Sequence, residues 1–213
     1  MTPTDDPRER LLTAAGELFA EKGLDGATVR EICTRAGVNI AAVNYYFRDK
    51  ENLYIEAVKQ ASCGSQLNAA VAAGDPAAPP AQRLRDFIRA MVARMLDRER
   101  PAWHVRLMTR EMARPTAACQ EVVREYIQPV AAVLMGILTE LLPPETPRLK
   151  LMLTGFSIVG QCIHHIQCKP VIRTLMGEED YARLTPEAVA DHIAEFSLAA
   201  LGQKAPPRRL KTS

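Results

Sequence analysis

Residues 28–50 read TVREICTRAGVNIAAVNYYFRDK, and this stretch decides the fold. Thr28 suits a helix N-cap, because its hydroxyl can accept a bond from a backbone N–H that the first turn leaves unpaired. Val29, Ile32, Cys33 and Ala36 then recur at helical spacing. Gly37 stops that helix where a left-handed residue is needed, since it lacks a Cβ. Val38 is apolar and plugs the turn, and Asn39 can cap a second short helix running through Phe47. On the second helix Val43, Tyr46 and Phe47 share one side, and Ala41, Asn44 and Tyr45 fall roughly opposite. Two short helices joined by a tight glycine turn form a helix-turn-helix, and its second helix is the one that enters a major groove.

Upstream, Pro7 fits a first helical turn, where its missing N–H is not needed. Leu11, Leu12, Ala15, Leu18 and Phe19 make one apolar face, and Gly23 ends this bracing helix. Downstream, Asp49 can cap a fourth helix that carries Leu53, Tyr54, Ala57 and Val58 and runs to about Ala73. GDPAAPP at 74–80 is a loop. Helical patterns follow at 82–96, from Pro101 to Ala113, and from Thr116 to Leu142, where Pro129 predicts a kink. The stretch 149–166 is apolar on most faces, 168–185 is of mixed polarity and reads as partly irregular, and Thr185-Pro186 opens a last helix to Leu201. No alternating strand pattern and no internal repeat is visible, so the fold class is all-α. A three-helix helix-turn-helix domain over residues 1–50 precedes a second helical domain over 51–203.

Composition narrows the function classes. The chain has 213 residues, 47% hydrophobic and 24% charged, as in a soluble globular protein. It shows no run of about 18 apolar residues and a polar N-terminus carrying Asp5, Asp6 and Glu9. These features point away from a membrane and toward a cytoplasmic location. Five cysteines without a CxxC suit reduced thiols. Net charge is only +2, and residues 1–60 hold eight Lys/Arg against ten Asp/Glu, so attraction to DNA has to come from local placement. Within 28–50 the balance is four basic to two acidic residues. The tail 204–213 carries Lys204, Arg208, Arg209 and Lys211 with no acid, and reads as a solvated, disordered segment.

The stretch Arg8–Val58 resembles the DNA-binding domain of the TetR family of repressors. Leu18-Phe19, Gly23, Thr28-Val29, Ile32, Ala36-Gly37-Val38, Val43, Tyr46-Phe47, Lys50 and Leu53 carry the likeness. The family often has an aromatic residue at the position of Asn44 and a histidine at that of Tyr45, and this sequence departs from it there. The later half resembles the CecR-like subgroup through Arg110–Thr116 and Tyr126–Pro129. The resemblance implies a ligand-responsive repressor, a small-molecule effector held among the later helices, and a homodimer on a palindromic double-stranded DNA operator.

These readings nominate residues. Thr28 and Lys50 are placed for phosphates, which set position but carry no sequence information, and Arg30 can reach either the DNA backbone or the groove. Tyr46 is half core, with its hydroxyl toward the DNA backbone. Base readout falls to Asn39, Ile40, Ala41, Ala42, Asn44 and Tyr45, with Asn44 able to bond an adenine edge or a phosphate. Trp103, Leu107, Met108, Glu111, Met112, Gln161 and His165 are effector candidates, since Trp and Met line adaptable pockets. Each of these also reads as ordinary core. A helix apolar all round has two surfaces to bury. Met152, Phe156, Val159 and Ile163, with Val189, Ile193 and Phe196 of the last helix, are therefore expected at a dimer interface. Arg106, Arg110 and Arg114 fall on one helical row and read as a solvated row.

The competing classes are weaker. Cys162, His164, His165 and Cys168 lie close in sequence, but adjacent helical residues diverge by about 100° and no standard zinc spacing appears, so no metal or cofactor is expected. No GxSxG, P-loop or HExxH motif is present, which argues against an enzyme. A helical adaptor that keeps the fold without binding an operator is the remaining alternative.

Overall fold

The computed structural model describes residues 6–62, 64–97 and 99–203. Its elements are α1 (Pro7–Gly26), α2 (Val29–Ala36), α3 (Ala41–Phe47), α4 (Lys50–Ser62), α5 (Gly64–Ala72), α6 (Pro80–Met95) and α7 (Ala102–Ala113). They are followed by α8 (Ala117–Val122), a π turn (Val123–Ile127), α9 (Gln128–Leu141), α10 (Arg148–Gln167), α11 (Lys169–Ala182) and α12 (Pro186–Ala200). No strand occurs among the described residues. The basic tail 204–213 lies outside them.

The chain packs as two compact units: residues 1–64 with 99–128, and residues 65–98 with 129–213. The boundary drawn at residue 50 delimits the helix-turn-helix itself, whereas packing adds α4, α7 and α8 to the same body. The reason is visible in unit 1. Its core joins Leu11, Phe19, Ile32 and Val43 to Leu53 and Val58 of α4 and to Trp103 and Leu107 of α7. Trp103 fits over α1 because residue 16 is glycine; a Cβ there would lie 2.3 Å from Cζ3 of the indole. Gly23 breaks α1 with φ 78°, and Arg110 fills the space beside it, donating to the Lys22 carbonyl at 3.3 Å. One member of the Arg106–Arg110–Arg114 row is thus a staple between α7 and α1.

A buried carboxylate ties the later helices of unit 1 together. Glu111 is fully buried. It accepts the Tyr54 hydroxyl of α4 at 2.6 Å, the Thr116 N–H at 2.7 Å, the Thr116 hydroxyl at 2.9 Å and the Cys119 N–H at 3.1 Å. Buried charges persist where hydrogen bonds of this kind replace water. Burial, and then the bond to Glu111, push the Tyr54 phenol well above its ordinary pKa. On the surface, Lys59 of α4 meets Glu125 at 2.9 Å.

Unit 2 is built on the packing of α6 against α12, closed by α9 and α10. Leu84, Phe87, Ile88, Leu134, Leu138 and Ile193 are central to its core. Two expectations change here. The kink expected at Pro129 is a π turn just upstream, in which the Gln128 N–H reaches back to the Val123 carbonyl. That turn accommodates a proline that has no N–H to give. The segment 168–185, read as partly irregular, is mostly helical: α11 is interrupted only at Gly177, with φ 77°. The run 117–141 is also the one stretch among the described residues long and apolar enough to cross a membrane by length and composition. Its α9 residues Val130, Leu134, Ile137 and Leu138 are packed in the core of unit 2.

Candidate nucleic-acid interface

The first helix of the motif starts on a reciprocal cap. Thr28 accepts the Glu31 N–H at 3.2 Å, and the Glu31 carboxylate accepts the Thr28 N–H at 3.1 Å and the Thr28 hydroxyl at 2.9 Å. This is a capping box, which pairs two groups that helix ends leave open. Lys22 donates to the same carboxylate at 2.5 Å. The Lys22 bond first, and the Thr28 bonds next, pull the Glu31 carboxyl down to about 2. The Thr28 hydroxyl donates to Glu31 here, so the capping role read from its position is occupied.

Gly37 takes the left-handed conformation, φ 65° and ψ 40°, and the Val38 N–H closes on the Cys33 carbonyl at 3.0 Å. Asn39 caps the next helix, its side-chain oxygen accepting the Ala41 N–H at 2.9 Å. Val43 and Phe47 are buried on the inner side of α3, and Ala42 and Tyr46 pack partly against the same core. The outer side presents Asn39, Ala41 and Asn44 with Ile40 at 52% and Tyr45 at 82% exposure. Five of the six residues nominated for base readout thus share the exposed side. Ala42 is the exception, half-buried because it sits a third of a turn toward the core. Tyr46 braces Tyr45, their rings meeting edge to face at 4.8 Å.

Of the basic residues, Arg30 is exposed, and Arg35 is held by Glu21 at 3.4 Å and Glu17 at 3.6 Å. Lys50 is half-buried, its ammonium donating to the Ala27 carbonyl at 3.3 Å. It therefore ties α4 to the start of α2, a use that its sequence position does not reveal. Arg48 is a further exposed cation at the end of α3, and it adopts φ 74°, a left-handed backbone unusual for a residue with a Cβ. Nothing in the sequence signals this. Glu31, by contrast, completes a T-x-x-E signature that is legible in it.

The effector and dimer candidates separate between the units. Trp103, Leu107 and Glu111 are buried in unit 1, with Glu111 committed to the bonds above; Met108 packs beside them and Met112 is 43% exposed. Gln161 and His165 belong to unit 2, where they line an open concavity with His164 and His192. Burial, then the neighbouring His164 and His192, lower the His165 pKa. Cys162, next to them in sequence, is a core residue whose thiol is pushed up to about 12 by burial. Among the dimer candidates Met152, Phe156 and Phe196 are exposed, the last two at 63% and 59%, and Val159 and Ile163 are half-buried. Val189 and Ile193 are 2% and 1% exposed and serve the core of unit 2, because their side of α12 is covered by α6.

Comparison with known proteins divides the chain between residues 57 and 80, and so groups α7 and α8 with the later helices. The family model for bacterial regulatory proteins, tetR family, matches residues 11–57. The model for the C-terminal domain of the HTH-type transcriptional dual regulator CecR matches residues 80–201. The HTH-type transcriptional dual regulator CecR of Shigella flexneri is 27% identical over 94% of this chain and 95% of its own. A transcriptional regulator from Rhodococcus sp. Rha1 shares the fold at a TM-score of 0.63 and 23% identity, over 94% of this chain and 99% of that one. A TetR-like transcriptional regulator from Rhodococcus sp. RHA1 does so at a TM-score of 0.62 and 14% identity, over 96% of this chain and 100% of that one. The exposed outer side of α3, the capped glycine turn before it and these matches lead to one conclusion: the chain belongs to the TetR family of DNA-binding transcriptional regulators, with a C-terminal domain of the CecR type.

Proposed function

We propose that the chain is a ligand-responsive repressor that binds a palindromic operator as a homodimer in the cytoplasm and is released by a small, largely apolar effector. The observation that carries the DNA half is the outer side of α3, where Ile40, Ala41, Asn44 and Tyr45 stand clear of the core. Small and apolar side chains there permit close approach and contact with thymine methyls, and Asn44 supplies a donor and an acceptor for a base edge. Arg30 and Arg48 flank this side as phosphate contacts. The dimer half rests on unit 2. There Leu149, Leu153 and Phe156 of α10 and Phe196 of α12 are exposed at 51% or more. Apolar area of this kind on adjacent helices favours an isologous two-fold contact. We place the effector in unit 2, because the Trp103 group of unit 1 is closely packed core.

Footprinting on the DNA that flanks the chain's own gene tests the reading. A protected palindrome with half-sites about one helical turn, ~10 bp, apart is expected. Absence of protection, or a single unpaired half-site bound by monomer, would refute it. Effector and operator must weaken each other's binding by one common factor, about 5- to 150-fold for a typical coupling.

A further inference from the structure

Unit 2 contains a cleft of about 380 Å³, a volume suited to a small organic ligand. One wall is the end of α5 with the turn after it, another is α6, and the third is α9. Its floor is apolar: Phe87 and Ile137 are 3% and 4% exposed, and Val71 and Val133 stand beside them. The cleft passes over Gly136, where an added Cβ would meet nothing within 4 Å. Its rim is acidic. Asp75, Asp86 and Glu140 line it against one cation, Arg83. That guanidinium is already paired with Glu140. The nearby Arg89 lies 3.7 Å from Asp86 but is held at 2.9 Å by Asp191. The lining therefore carries three carboxylates and one guanidinium, a surplus of two negative charges over an apolar floor.

We propose that this cleft binds lipophilic monocations, with the apolar body on Phe87, Val133 and Ile137 and the charge toward Asp75 and Asp86. An acidic rim over an apolar floor attracts cations and repels anions of equal size. Two of the three walls have a direct chain connection to unit 1: α5 follows α4, and α9 follows α8 through the π turn. Any consequence for operator release rests on the proposed function, whereas binding to the cleft does not.

Tetraphenylphosphonium and tetraphenylborate, equal in shape and opposite in charge, separate the terms. Calorimetric titration of the full chain without DNA should show saturable binding of one phosphonium per chain, and borate binding about tenfold weaker or less. Gly136→Leu extends a side chain into the cleft from a position where the Cβ itself meets nothing within 4 Å, so helical content and melting should be retained while phosphonium affinity falls about tenfold or more. Asp86→Asn should weaken it about threefold at low salt and less at high salt. Equal affinity for both ions, or a folded Gly136→Leu variant that binds phosphonium like the parent, would overturn the proposal. Operator binding measured separately by anisotropy keeps the two readings apart. No operator binding with intact phosphonium binding rejects the regulator and keeps the cleft, and the converse rejects the cleft alone.

Discussion

Replacing Glu111 with alanine should loosen unit 1 by more than any single apolar truncation on its surface. The side chain is fully buried and accepts four hydrogen bonds from α4, α7–α8 and the start of α8. Bonds to a charged group contribute about 1.5–3 kcal/mol each, so a plain sum would reach about 6–12 kcal/mol. Two effects reduce it. Thr116 is half-buried, so its N–H and hydroxyl regain water. Removing the carboxylate also removes its own desolvation cost, so the net loss falls to about 4 kcal/mol, still at the severe end for one substitution. The Tyr54 hydroxyl is the donor left without a partner, since the Cys119 N–H keeps the Thr116 carbonyl at 3.2 Å. With a urea slope of about 2 kcal/mol per molar for unit 1, a loss near 4 kcal/mol moves the midpoint down by about 2 M. Trp103 is the single tryptophan and is 4% exposed within the same core, so its emission reports that transition. Glu111→Gln keeps the shape and the three contacts at one oxygen, and should cost about 1–2 kcal/mol. A midpoint for Glu111→Ala within about 0.5 M of the parent would refute the view that this carboxylate holds the helices together.

Other outcomes follow from the same geometry. Gly16→Ala should destabilise by about 1–2 kcal/mol and shift Trp103 emission, because overpacking against the indole outweighs the helix gain of about 1 kcal/mol; an unshifted spectrum with a higher melting point would contradict it. Carboxyl NMR should find Glu31 titrating near 2, and Lys22→Ala should move it toward the ordinary range. Its folded pKa is depressed, so the stabilisation from the capping box is present above the unfolded pKa of about 4.5 and is lost as pH falls toward 2. Tyr45→Ala should weaken operator binding more than binding to random DNA, whereas Arg48→Ala should weaken both and lower the salt slope by about one unit; gel-shift titrations on the two DNAs at several salt concentrations distinguish the patterns. Phe156→Glu should shift the chain from dimer to monomer in light scattering, since it buries an unpaired charge, and a parent that is already monomeric at micromolar concentration would remove the basis for the dimer.

The helix-turn-helix is legible in the sequence because its signals are local. A capping threonine, a left-handed glycine and a capping asparagine act within a few residues, so Thr28, Gly37 and Asn39 occupy the roles their spacing predicts. Periodicity also predicts that Trp103, Leu107 and Glu111 share a helical face. It does not say what covers that face, and the answer, α1 with a glycine at position 16, comes from the opposite end of the unit in sequence. The same limit explains Val189 and Ile193, which are apolar and helical in either a core or an interface. The bond from Lys50 to the Ala27 carbonyl is equally hidden, because the two residues are distant in sequence. Arg48 is opaque for another reason: a left-handed backbone at arginine is imposed by its neighbours and has no compositional trace.

The distribution of chromophores has a practical consequence. Trp103 and the tyrosines at 45, 46, 54 and 126 all fall in unit 1, and Tyr181 is the only aromatic absorber of that kind in unit 2. Intrinsic fluorescence therefore describes half of the molecule. A compound screen read by tryptophan quenching would be nearly blind to a ligand seated among α5, α6 and α9, and would score it as inactive. Phe87→Trp, which sets an indole in the floor of that cleft, would give the dark half a signal of its own.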